Sequence, residues 1–107
     1  MRIRKEEMPT TNDDLFLAQI ADALAHPVRM AILRYVLQNE EVSNDTCNKD
    51  LVELFDYSQA TISQHVKKMI QADLFLIEKK DKFSFYAVNK EVLGRYYKLM
   101  EALLSGP

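Results

Sequence analysis

The chain has 107 residues, of which 48% are hydrophobic and 28% charged, and its fourteen basic and sixteen acidic side chains leave a net charge of −2. These values describe a single domain over residues 1–107, since single cores typically span about 100–150 residues, and they exclude a disordered chain; no run of about 18 apolar residues exists, which excludes a membrane-spanning helix. One cysteine, Cys47, excludes an internal disulfide and a thiolate-rich metal cage within one chain, and Met1–Glu7 is charged where a secretory signal is apolar. The expected setting is a reducing cytoplasm, with no membrane contact.

Charge is distributed unevenly. From Gln38 to Tyr57 six acids (Glu40, Glu41, Asp45, Asp50, Glu53, Asp56) face a single base, Lys49. From Ser58 to Lys82 five lysines (Lys67, Lys68, Lys79, Lys80, Lys82) outnumber three acids. Such a stretch makes a local anion-attracting surface inside an acidic protein.

Two glycines and three prolines leave few breaks, so the chain should be mostly helical. Thr10-Thr11-Asn12 offers N-caps for a helix to Leu24, with Asp13 and Asp14 at its positive end and an apolar face of Leu15, Phe16, Ala18, Ile20, Ala23 and Leu24. Pro27 stops that helix and suits the first turn of a second, Pro27 to Gln38, with Val28, Ile32, Leu33, Val36 and Leu37 inward. Asn39–Asn44 reads as a polar loop. A short helix over Cys47–Phe55 is expected to bury Leu51, Val52, Leu54 and Phe55. After a tight Phe55-Asp56-Tyr57 turn, Ser58 caps a helix to Ala72 with Ile62, Val66, Met69 and Ile70 inside. Asp73–Asn89 changes period: Phe75 and Ile77, then Phe83, Phe85 and Ala87, fit two extended runs. With no Asn-Gly or Asp-Gly, their connection across Lys79-Lys80-Asp81-Lys82 is expected to exceed two residues. A last helix covers Lys90–Ser105. This order, α-α-α-α-β-β-α, is mainly α with a β-hairpin wing: a winged helix-turn-helix with an extra helix at each end.

Ala23-Leu24-Ala25-His26-Pro27-Val28-Arg29-Met30-Ala31-Ile32-Leu33 resembles the Ala-Leu-Ala-Asp-Pro-Thr-Arg-Leu-Arg-Ile-Leu stretch of ArsR/SmtB-type repressors. Leu51 and Leu54 match the family's short helix, and Ser58-Gln59-Ala60-Thr61-Ile62-Ser63-Gln64-His65-Val66 is similar to its Ser-Gln-Ser-Thr-Val-Ser-His-His-Leu recognition helix. The resemblance runs from about Leu15 to Leu104 and implies a homodimeric transcriptional repressor that binds an imperfect inverted repeat in double-stranded DNA. Asp56 stands where the family usually has glycine, a left-handed position that Asp tolerates. Of the family's Cys-X-Cys pair only Cys47 matches, with Lys49 in the second position. The other family metal site uses Asp, His and Glu on the terminal helix, and Lys90–Pro107 contains no histidine and no aspartate. Both sites lack the several N or S ligands that such metals need, so no metal and no cofactor is expected, and the residues identify no effector.

The DNA-reading face is Ser58, Gln59, Thr61, Ser63, Gln64 and His65, with Lys67 and Lys68 on phosphate at the groove edge and Lys79, Lys80 and Lys82 at the wing tip. Glutamine can pair bidentately with adenine, whereas Ser and Thr serve bases or phosphates. The end helices carry more apolar surface than one small core covers: Leu15, Phe16, Ile20 and Leu24 on the first, Tyr96, Tyr97, Leu99, Met100, Leu103 and Leu104 on the last. These form the expected dimer interface. No catalytic constellation or phosphate-cradling glycine loop appears, so an enzyme is not expected. Two other readings use the same residues: a winged-helix module that binds protein, and a sensor gated by thiol or metal chemistry at Cys47. His26 reads as a helix-start residue.

Overall fold

The computed structural model describes residues 10–40 and 45–106; the Met1–Glu7 stretch and most of the expected Asn39–Asn44 loop lie outside them. In chain order the elements are α1 (Asn12–Leu24), α2 (Pro27–Glu40), β1 (Thr46–Cys47), α3 (Asn48–Phe55), α4 (Gln59–Gln71), β2 (Phe75–Lys80), β3 (Phe83–Val88) and α5 (Lys90–Ser105). The three strands form one antiparallel sheet in the order β1-β3-β2. The winged architecture stands, with one strand that the sequence reading lacks.

Helix starts follow side-chain chemistry. Thr11 and Asp14 cap α1 reciprocally, each accepting the other's backbone N–H at 3.1 and 2.9 Å, and this satisfies two amides left orphaned by the first turn. Ser58 accepts from Thr61 N at 3.2 Å to open α4, and Asn89 accepts from Val92 N at 3.3 Å to open α5. His26 caps α2 through its ring: Nδ1 accepts the Val28 N–H at 3.1 Å, while Pro27 occupies the first helical position, where a missing N–H costs nothing. Asp56 ends α3 in the left-handed region at φ 54°.

The core joins α2, α3 and α4 to the inner face of the wing. Ile32, Val36, Leu51, Ile62, Val66, Met69 and Leu74 are buried there, with Phe75, Tyr86 and Val88 closing it from the sheet. Four expectations change. Cys47 does not begin the short helix as a helical residue; it pairs in β1 opposite Phe85 and precedes α3. Helix α2 runs on to Glu40, into the expected loop. Leu54 is exposed rather than buried, because only the Leu51 side of α3 faces the core.

The fourth change is the wing. Lys80 pairs with Phe83, so the connection is a two-residue turn, Asp81-Lys82, with Asp81 at φ 56°. Asp is among the few residues that enter the left-handed region without glycine. Lys79 and Lys80 therefore stand in β2, opposite Ser84 and Phe83, and only Lys82 belongs to the tip. Cross-strand register puts Tyr86 opposite Ile77 and Val88 opposite Phe75. Tyr86 and Val88 are the buried residues of β3, whereas Phe85 and Ala87 of the expected alternation are half-buried. Thr46, buried in β1, accepts a 2.7 Å hydrogen bond from Asn39 Nδ2.

Candidate nucleic-acid interface

Helix α4 buries Ile62, Val66 and Met69, and the 3.6-residue period then turns Gln59, Ser63, Gln64, Lys67 and Lys68 outward, where all five are exposed. Ser58 and Thr61 are occupied with each other: Ser58 Oγ donates to Thr61 Oγ1 at 2.9 Å while accepting the Thr61 amide. Both belong to the cap that aims the helix.

Two clefts flank α4. One, of about 530 Å³, brings Gln59 and Ser63 together with Lys82 and Ser84 of the wing and with Lys49 and Glu53 of α3. The other, of about 380 Å³, gathers Gln64, His65, Lys67, Lys68 and Gln71 against Arg29 of α2. Lys79 and Lys80 line neither. Lys80 is paired with Glu78, Nζ to Oε1 at 3.6 Å, with both side chains exposed. Sequence reasoning missed Arg29, Lys49, Gln71 and Ser84. Arg29 lay within the family-like stretch, and the others carried no local signal.

His65 departs from the expected outward set. It is half-buried, its Nδ1 accepts from Arg29 Nε at 3.2 Å, and its ring centroid stands 4.6 Å from that of His26. Burial first, then the neighbouring His26 and Arg29, hold its pKa below the ordinary 6.5. Cys47 is buried, and its thiol donates to Asp50 Oδ2 at 3.4 Å. Among the described residues no group of three or more His, Cys, Asp or Glu side chains is placed to hold a metal ion.

The terminal helices pack on each other through Arg95, whose Nη2 meets Asp13 Oδ1 at 3.1 Å and whose guanidinium carbon lies 4.1 Å from the Phe16 ring centroid. Of the expected interface residues, Leu15, Tyr97, Met100, Leu103 and Leu104 are exposed, and Leu104 is 92% exposed. Phe16, Leu24, Tyr96 and Leu99 are half-buried. Ile20 is 0% exposed; it belongs to the interior of the single chain, because it lies on the side of α1 turned toward the other helices. Leu24, Met30, Leu33, Leu93, Gly94, Tyr96, Tyr97 and Met100 line an open apolar groove of about 690 Å³. No single helix among the described residues is long and apolar enough to cross a membrane.

A short helix, a left-handed turn, a longer capped helix and a following hairpin define a winged helix-turn-helix. The same fold occurs in a solved homodimeric winged helix-turn-helix DNA-binding domain (fragment 1-100) from Mycobacterium bovis, described as a possible ArsR-family transcriptional regulator: TM-score 0.65, 16% identity, covering 92% of this chain and 91% of that one. The family model for bacterial regulatory proteins of the arsR family matches residues 26–74. An arsenical resistance operon repressor of Staphylococcus xylosus is 32% identical over 77 residues, 72% of this chain and 69% of the relative. That of Bacillus subtilis (strain 168) is 35% identical over 69 residues, 64% of this chain and 62% of the relative, so the match spans less than two thirds of the Bacillus protein. The chain belongs to the arsR family of bacterial regulatory proteins.

Proposed function

We propose that two copies of this chain join through α1 and α5 and bind an imperfect inverted repeat in double-stranded DNA, repressing transcription by covering an operator in the bacterial cytoplasm. The carrying observation is the exposed polar face of α4, Gln59, Ser63, Gln64, Lys67 and Lys68, on a helix whose opposite face is locked in the core. A helix of this kind fits the major groove, where amide side chains can distinguish base edges and lysines neutralise phosphate. Ser58 and Thr61 hold the helix N-terminus, and Lys82 sits across the cleft on the wing. The relatives named as operon repressors and the homodimeric DNA-binding neighbour support the same reading.

Repression then follows from occupancy. Two α4 helices related by a two-fold axis meet successive major grooves, and linkage of two weak half-site contacts raises effective concentration. Release requires an effector that prefers the DNA-incompetent dimer. Selection of bound sequences from random duplex DNA tests the proposal. The expected product is an inverted repeat whose half-sites lie about one helical turn apart. Absence of any preferred duplex at physiological ionic strength overturns it.

A further inference from the structure

One guanidinium joins three elements at the edge of the candidate interface. Arg29, near the start of α2, donates from Nη1 to the carbonyl oxygens of Asp22 at 3.1 Å and Ala23 at 3.4 Å, at the end of α1. Its Nε donates to Nδ1 of His65, in the middle of α4. His26 stands beside them at the α1–α2 junction, its own Nδ1 committed to the Val28 amide. Arginine stays protonated at all relevant pH and offers donors only. Its bond to His65 therefore exists only while the imidazole is neutral and keeps a lone pair on Nδ1.

We propose that Arg29 is the positioning residue for α4, and that its bond to His65 is a proton-labile latch which holds this helix against the α1–α2 seam at neutral pH and lets go in mild acid. The groups facing His65 all favour release once a proton arrives. Arg29 from α2 is cationic, the His26 ring from the junction disfavours charge on His65 in the same sense, Lys67 and Lys68 of α4 line the same cleft, and α1 contributes the carbonyls of Asp22 and Ala23 to Arg29 rather than a carboxylate bond to the ring. A protonated His65 therefore loses its acceptor role and meets like charge. The direction of its titration agrees, since burial, His26 and Arg29 lower its pKa from 6.5. Because the folded pKa is the lower one, this stability is complete above about pH 6.5 and is lost as pH falls toward the folded value.

The latch is independent of whether the DNA reading is correct, and its test uses no DNA. Thermal unfolding of the full chain is followed from about pH 7.5 to about pH 5.5, the range in which histidine changes charge. His65→Asn places a non-titrating oxygen near the position of Nδ1 and keeps an acceptor for Arg29. The expected result is a midpoint that falls on acidification in the parent protein and falls by less than half as much in His65→Asn. In the folded parent, NMR should show the His65 ring titrating below 6.5, with α4 amide resonances moving at the same midpoint, and Arg29→Met should raise that midpoint. A parent-sized fall in His65→Asn, or a His65 titration at or above 6.5, overturns the latch; should Arg29→Met fail to fold, these two readouts still decide.

Discussion

Asp56 and Lys82 show how much a single residue decides here. Asp56 ends α3 at φ 54° with a carboxylate at the negative end of the helix dipole, and both features cost free energy. Replacing it with glycine removes the left-handed penalty and the charge at once. Asp56→Gly is expected to stabilise the fold by about 0.5–1 kcal/mol, read as a higher urea midpoint at unchanged slope. A lower midpoint means the Asp56 side chain makes a contribution that backbone relief does not repay. At the wing the lysines are unequal. Lys80 is paired with Glu78 and lines no cleft beside α4, whereas Lys82 lies at the turn and lines the cleft shared with Gln59 and Ser63. Lys82→Ala should therefore lower the slope of log affinity against log salt by about one, the counterion yield of one phosphate contact, and Lys80→Ala should leave it nearly unchanged. Equal slopes for the two variants remove Lys82 from the contact set.

Between elements, the most consequential side chain is Glu40, whose carboxylate ties the end of α2 to the β3–α5 junction. Oε1 accepts the Val88 N–H at 3.0 Å and Oε2 lies 3.6 Å from Lys90 Nζ, on a side chain only 9% exposed. Glu40→Ala strands the Val88 amide and is expected to cost about 2 kcal/mol, whereas Glu40→Gln keeps an acceptor and should cost less than half of that, both measured by denaturant unfolding. Equal losses would show that the charge rather than the hydrogen bond matters. No pattern in the sequence announced this pin, for it joins residues 48 apart. What was legible was local. Caps at Thr11 and Ser58, the proline at the start of α2, the left-handed Asp56 and the apolar stripe of α4 each depend on neighbours within a turn. Strand β1 was not legible because two residues carry no periodicity; Thr46 and Cys47 are extended only by pairing with Tyr86 and Phe85. The wing turn was misjudged for a related reason. Register across β2 and β3 sets the loop length, and Asp81 takes the left-handed position without the glycine whose absence suggested a longer loop. At the site, the exposed face of α4 followed from helical period, but His65 did not, since Arg29 reaches it from 36 residues away.

The shape of the whole molecule bears on the proposed dimer. Its radius of gyration is 16.4 Å and its extents are 52 × 26 × 22 Å, whereas a compact chain of this length has a radius of about 13 Å. Helix α5 contributes no buried residue, yet it carries Tyr97, Met100, Leu103 and Leu104 in the open. Gly94, in the middle of the same helix, borders the apolar groove, and a Cβ built there meets nothing within 4 Å. A helix-interior glycine costs about 1 kcal/mol relative to alanine, and the single chain gains no packing in return. A second copy laid along α1 and α5 accounts for both observations by covering the apolar stripe and approaching the helix closely at Gly94. Tyr97→Glu with Leu103→Glu puts charge on that stripe without touching the chain's own core, because both side chains are exposed in the monomer. The doubly substituted protein is expected to sediment as a monomer with its helical circular dichroism intact, and to retain duplex DNA far less well, since each half-site then binds alone. Gly94→Ala separates helix propensity from close approach: it should raise helical content while weakening self-association. If both variants associate as the parent does, α5 does not hold the two copies together.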